Sequence, residues 1–148
     1  MIEKAYGFVL RERAAGLELL VFEHVGQTEA GLQIPGGTIE DGEAPLAAVA
    51  REVREESGLT LDAWEALATL THEHVAGSGT PGPQRWHCFA TTPTRPFADS
   101  WRYEPRGSAG EQGLRFDYRW IALAGGERLA GQQEEARLAV AAAVTERR

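Results

Sequence analysis

Residues 37–59 read GTIEDGEAPLAAVAREVREESGL, and their spacing decides the fold. Gly37 is followed by five residues and Glu43. Seven more lead to Arg51, Glu52 and Val53, then Glu55, Glu56, Gly58 and Leu59. Seven of these positions are fixed residue types and two are aliphatic, a pattern that chance matches about once in 10⁹ windows at ordinary residue usage. The stretch from Ala44 to Ser57 reads as a helix. Pro45 suits its first turn, where the missing N–H is harmless. Gly58 suits its end, where a left-handed residue is wanted. Leu46, Val49, Ala50 and Val53 recur at three- and four-residue spacing and form its buried stripe. Glu52, Glu55 and Glu56 then share one face. Three carboxylates side by side repel unless a cation joins them, and hard divalent cations take oxygen ligands, retained waters and substrate phosphates.

Outward from this segment, 5–11 (AYGFVLR) and 17–24 (LELLVFEH) read as a β-hairpin. Residues 32–35 read as a short strand stopped by Pro35 and the two glycines. Two further strands are expected at 66–75 and 85–92, with a flexible surface loop between them. Residues 93–114 show no period and read as a long functional loop. A strand follows at 115–123, with Phe116, Tyr118 and Trp120 on one face and Asp117 and Arg119 on the other. A closing helix spans about 133–146, with Leu138, Ala141 and Val144 on its buried side. Strands and helices in this order make a mixed α/β (α+β) layered domain. No second domain is apparent in residues 1–148.

Apolar residues are 43% and charged residues 25% of the 148, as in ordinary folded domains. The longest apolar run, 138–144, is too short to span a bilayer. No signal peptide is evident, and the single cysteine, Cys88, excludes an intrachain disulfide and a cysteine-based zinc site. These features favour the cytoplasm. A net charge of −7 argues against general nucleic-acid binding. It also demands cations if the substrate is a phosphate. Lys4 is the only lysine; among the arginines outside the helix segment, Arg85, Arg102, Arg106, Arg115 and Arg119 are the candidates to clamp phosphates.

The 37–59 pattern resembles the Nudix box, the signature of the Nudix hydrolases, and meets it at every position. The resemblance implies an α/β/α sandwich around a mixed sheet, with the box as loop–helix–loop. It implies a pyrophosphohydrolase that cleaves a diphosphate joined to another group, in a small nucleotide or nucleotide sugar. Mg²⁺ is the implied cofactor, with Mn²⁺ as its substitute. The implied metal ligands are Glu52, Glu55, Glu56 and the carbonyl of Gly36. Glu52 is the first choice of base, with Glu55 in the catalytic set; Glu111 and Asp117 are candidates outside the box. Glu43 and Arg51 are expected to pair, and Gly37 and Gly58 to serve the backbone. Substrate contacts are expected among His72, Glu73, His74, Trp86, His87, Trp101 and Tyr103. The subfamily markers of NADH-, coenzyme A-, dinucleoside polyphosphate- and ADP-ribose-cleaving members are not found where expected. Two alternatives stay open: a nucleotide-binding or regulatory domain with weak catalysis, and an RNA 5′-end pyrophosphohydrolase. Homodimers, common in the family, are a further implication.

Overall fold

The computed structural model describes residues 1–106 and 113–147. Seven strands form one mixed sheet: β1 (Ile2–Arg13), β2 (Gly16–His24), β3 (Gly36–Thr38), β4 (Glu65–His72), β5 (Gln84–Thr91), β6 (Ser100–Tyr103) and β7 (Phe116–Ala122). Helix α1 (Pro45–Ser57) covers one face and α2 (Gln133–Glu146) the other. The spatial order is β4-β5-β1-β2-β7-β6, with β3 beside β1.

β1 is the hub. It runs parallel to β5 from Ile2 to Val9 and antiparallel to β2 from Leu10 onward. On the side where β2 has not yet begun to pair, β3 docks against Lys4, Ala5 and Tyr6. Both faces of this central strand are covered, so 5–10 are all buried and read as a nearly continuous apolar run. Ala5, Val9, Leu20, Phe22, Phe89, Phe116 and Tyr118 face α1. Tyr6, Phe8, Leu10, Leu19, Val21, Trp86 and Cys88 face α2. This is the expected three-layer α/β/α sandwich.

α1 sits unusually close to β1 because Gly7 has no side chain. A methyl there would lie 2.5 Å from Val53 Cγ2 and 3.2 Å from Val49 Cγ2. Overpacking of this kind typically costs about 1–3 kcal/mol. Gly7→Ala is therefore expected to lower the unfolding free energy by that amount, read as a lower urea midpoint with an unchanged m-value. An unchanged midpoint would show that α1 can retreat freely.

Four sequence expectations need correction. The strand expected at 32–35 lies instead at Gly36–Thr38, and Gln33 makes only an isolated bridge to Phe22. Glycine is what permits the pairing: a Cβ on Gly36 would meet the Tyr6 ring at 2.4 Å and the Ala5 carbonyl at 2.5 Å. In α1 the buried stripe is Ala48, Val49, Glu52, Val53 and Glu56. Leu46 is 51% exposed, and Ala50 only half-buried, because the stripe turns toward Gly7 and β3. In α2, Leu138 is 55% exposed; Ala136, Arg137 and Val140 face the sheet, with Ala141 and Val144 beside them. The 93–114 stretch, read as a loop, contains β6, four residues that alternate exposed and half-buried. It forms because β7 offers an edge to pair with.

Candidate active site

Gly58 ends α1 in the left-handed conformation, at φ 81°, and its N–H donates to the Arg54 carbonyl. The helix then presents Glu52 and Glu56, both buried to below one-tenth exposure, toward β3. The Gly36 N–H donates to Glu56 Oε1 at 2.8 Å. The Glu52 carboxylate lies over the Cα of Gly37, where a Cβ would come within 2.6 Å of its carboxyl atoms. Two box glycines thus make a cradle that side chains would fill.

Arg51 organises the remainder. It grips Glu43 bidentately, Nε to Oε2 at 2.8 Å and Nη2 to Oε1 at 2.9 Å. Its Nη1 donates to Glu52 Oε1 at 2.9 Å and to Glu55 Oε2 at 3.3 Å. Its Nη2 reaches the Thr38 carbonyl, and Glu40 lies 3.5 Å from Nε. The Arg51 guanidinium holds the Glu43 carboxyl below its ordinary range. The hydrogen bond to Glu43, then the charge of Glu52, pushes the Arg51 pKa upward. The expected Glu43–Arg51 brace is thus present, and it ties the box loop to the helix.

One guanidinium here faces four carboxylates: Glu40, Glu43, Glu52 and Glu55. The surplus of negative charge is what a divalent cation neutralises. Among the described residues, no group of three or more acidic, histidine or cysteine side chains is arranged to hold a metal ion. The carboxylates instead form a ridge along α1, with Arg51 drawing Glu52 and Glu55 to itself. Such an open oxygen ridge fits an ion that keeps waters and takes phosphate oxygens, and Mg²⁺ behaves so.

A cleft of about 540 Å³ adjoins the ridge, lined by Lys4, Tyr6, Gln33, Gln84, Gln132 and Gln133 among others. Tyr6 connects the two, since its ring lies against Gly36 and also lines the cleft. Burial raises the pKa of its phenol, and the charges of Glu56 and Glu52 add to the effect. Loop 75–80, read from sequence as a plain surface loop, forms one wall. Gln132 fastens it, with Nε2 donating to the His74 carbonyl at 2.7 Å and Oε1 accepting from the Ala76 N–H at 3.2 Å. Gln133 Oε1 accepts from the Ile34 N–H at 2.8 Å. No motif marks these glutamines; they matter only because α2 starts beside β3. The clefts around Thr92, Pro93, Thr94 and Arg95, at the other end of the sheet, share no lining residue with this one; none of the three is lined by a carboxylate of α1, and Tyr6 is the link between this cleft and the box.

The candidates outside the box fare differently. Trp86 is 2% exposed, packs on Tyr6 at 4.5 Å and donates its indole N–H to Gln84, so only its edge reaches the cleft. It is a core residue and offers no face for stacking on a base. His72 is buried edge-on against Trp86. His74 is exposed and lies beyond the end of β4, so the strand expected at 66–75 stops at His72. His87 bonds Glu3, away from the cleft. Trp101 and Tyr103 pack on the C-terminal end of α1 and do not line the cleft. Asp117 is held bidentately by Arg102, which lowers its pKa. Its neighbours Phe116 and Tyr118 face α1, so strand alternation turns Asp117 away from the ridge. Glu111 lies outside the described residues. Arg119 is engaged by Glu127 and Glu23, and Arg85 by Glu3. Lys4 is the cationic side chain among those lining the cleft.

Gly37→Ala separates site from fold. The atoms that a methyl would displace are the far end of a flexible side chain, so the backbone need not move. The Glu52 carboxylate must move, and misplacement by about 1 Å can cost about 10² in rate. The variant is expected to lose that factor in kcat with nearly unchanged Tm; a collapse of both together would contradict this account.

Comparison with known proteins agrees with this geometry. The NUDIX domain family model matches residues 2–139. The 8-oxo-dGTP diphosphatase of Escherichia coli K12 is 33% identical over 98 residues, which are 64% of this chain and 60% of that enzyme. The chain thus spans less than two thirds of that relative. The NUDIX domain of Shewanella oneidensis NrtR, solved with ADP ribose, superposes with a TM-score of 0.65 at 15% identity, covering 99% of this chain and 88% of that one. A C. elegans Ap4A hydrolase superposes with a TM-score of 0.59 at 16% identity, covering 99% of both. At those identities the likeness concerns the fold. With the complete box, the sandwich and the family match in agreement, the chain belongs to the NUDIX domain family.

Proposed function

We propose that this protein is a divalent-metal-dependent pyrophosphohydrolase acting on a small nucleotide. The observation that carries the reading is the row of Glu52, Glu55 and Glu56 on α1, with Glu52 and Glu56 against Gly37 and Gly36, and Tyr6 linking it to the cleft between β1, β5 and the start of α2. Glu52, Glu55, Glu56 and the Gly36 carbonyl would hold Mg²⁺ or, in its place, Mn²⁺. When bound, such an ion neutralises diphosphate charge and lowers the pKa of a coordinated water.

The chain's own residues supply the rest. Glu52 accepts a proton from the attacking water. The water oxygen forms a bond to phosphorus in line as the bridging P–O bond breaks, and the leaving phosphate departs with the electron pair. Arg51 holds the Glu52 carboxylate in place through Nη1, while Lys4 attracts the substrate's anionic part. The Gln33 amide and the Nε2 of Gln133 offer polar groups suited to a base or sugar, while Gln84 and Gln132 are engaged by Trp86, Ser78 and the 74–76 backbone and shape the wall. Nucleoside triphosphates, oxidised ones included, are the first substrates to test, because the E. coli relative is an 8-oxo-dGTP diphosphatase.

The test is turnover with Mg²⁺ across nucleoside triphosphates, ADP-ribose, nucleotide sugars, dinucleoside polyphosphates and capped RNA, with products identified by mass. One substrate cleaved far faster than the others, and only with metal, is the expected result. Nucleotide binding without turnover at high enzyme would overturn it in favour of a binding module.

A further inference from the structure

An α-helix leaves its last four carbonyls without partners inside the helix. In α1 these belong to Arg54, Glu55, Glu56 and Ser57, and each is met by a donor. The Gly58 N–H takes Arg54 O at 3.0 Å, and the Arg106 N–H takes Glu55 O at 2.8 Å. The Tyr118 hydroxyl donates to Glu56 O at 2.7 Å, and Trp101 Nε1 to Ser57 O at 3.3 Å. Three of the four donors come from β6, β7 and the residues just after β6. Trp101 and Tyr118 stack on one another at 5.1 Å with their planes 10° apart. The Tyr103 ring fills the space beside Gly58, where a Cβ would meet it at 2.7 Å.

Simple end capping needs only glycine and water, and α1 already has its left-handed glycine. Two of the additional donors fall on the backbone of Glu55 and Glu56, which carry two of the three carboxylates of the ridge. Glu56 is thereby held at both ends: its carbonyl by Tyr118, its carboxylate by the Gly36 N–H. We propose that Tyr118, Trp101 and the backbone of Arg106 form a clamp of positioning groups that fixes the rotation of the last turn of α1 and so sets the ridge's affinity for divalent metal. The proposal rests on the metal reading above. It gives the 101–106 segment a task other than the substrate contact expected of Trp101 and Tyr103.

Tyr118→Phe removes one hydroxyl and keeps the ring. Loss of a group that orients metal ligands typically costs about 10–100-fold in metal affinity. Mn²⁺ binding to the nucleotide-free protein, followed by electron paramagnetic resonance, is expected to weaken about tenfold in Tyr118→Phe. In assays the fall should appear in kcat and in the metal requirement, with KM for nucleotide little changed. Val140→Ala, in the core on the α2 side, is the control for lost stability and should bind Mn²⁺ as wild type does. Unchanged Mn²⁺ binding in Tyr118→Phe, or equal weakening in Val140→Ala, would overturn the clamp. Absence of Mn²⁺ binding by the wild type would overturn the metal reading and the clamp with it. Trp101→Phe, which removes the N–H and trims the indole to a phenyl ring at a half-buried position, repeats the test if Tyr118→Phe does not fold.

Discussion

Glu52→Gln is expected to lower kcat by about 10²–10⁴-fold, the usual contribution of a positioned general base. The substitution keeps shape and keeps an oxygen to accept from Arg51, whose Nη1 lies 2.9 Å from Glu52 Oε1. It removes the proton acceptor and one negative charge from the ridge. Because one guanidinium serves four carboxylates there, losing a charge relieves repulsion, and Tm should hold or rise. Initial rates at saturating nucleotide and Mg²⁺, with a thermal melt beside them, check both halves. Activity within about tenfold of wild type would place the base elsewhere. A fall in activity accompanied by unfolding would say only that the residue is structural.

Glu134→Ala is expected to cost about 3–5 kcal/mol of stability, the range for breaking a buried ion pair by removing one partner. Glu134 is 5% exposed and Arg137 3%, with both on the inner side of α2. Glu134 Oε1 accepts from Arg137 Nε at 2.8 Å and from the Leu129 N–H at 2.9 Å, and Oε2 accepts from Arg137 Nη2. Arg137 Nη1 donates to the Leu123 carbonyl at 2.7 Å. The alanine variant strands a buried guanidinium and a backbone N–H. Since a domain has only about 5–15 kcal/mol in hand, the loss should be visible at once in urea.

The same pair predicts a pH dependence. The hydrogen bond from Arg137, then that from Leu129, lowers the Glu134 pKa. Its stabilisation is full above the ordinary glutamate pKa, about 4.3, and is lost as pH falls through the depressed folded value. The gap between wild type and Glu134→Ala should narrow as pH falls below that range. A gap that is constant down to the acid transition would mean that the pair contributes no net electrostatic stability.

The box announced its own helix because the requirements there are local. Proline can begin a helix, glycine can end one, and carboxylates three and four apart share a face whatever surrounds them. The strands at 5–11 and 17–24 were legible for a related reason: a strand buried on both faces must be apolar throughout. The errors share a cause as well. Leu46 and Leu138 looked like core residues by helical spacing, yet periodicity does not say toward which neighbour a stripe turns. β6 reads as loop from sequence although SWRY alternates polar and aromatic residues, because so short a run among prolines and glycines becomes a strand only by pairing with β7. Trp86, Trp101 and Tyr103 looked like rings for a ligand, and each is engaged by the protein itself.

By itself the sequence determined a helix begun by Pro45 and ended by Gly58 with three carboxylates on one face, because helix sterics act over a few residues. The loop–helix–loop and the Glu43–Arg51 brace followed from the resemblance to the Nudix box. Tertiary structure alone decided that Gly36 and Gly37 would press against Glu56 and Glu52. It also decided that glutamines at the start of α2 would wall the cleft, and that residues 44–62 positions away would cap the end of α1. Those contacts join segments distant in the chain. Their geometry is set by how the layers pack on the sheet, which no local spacing encodes.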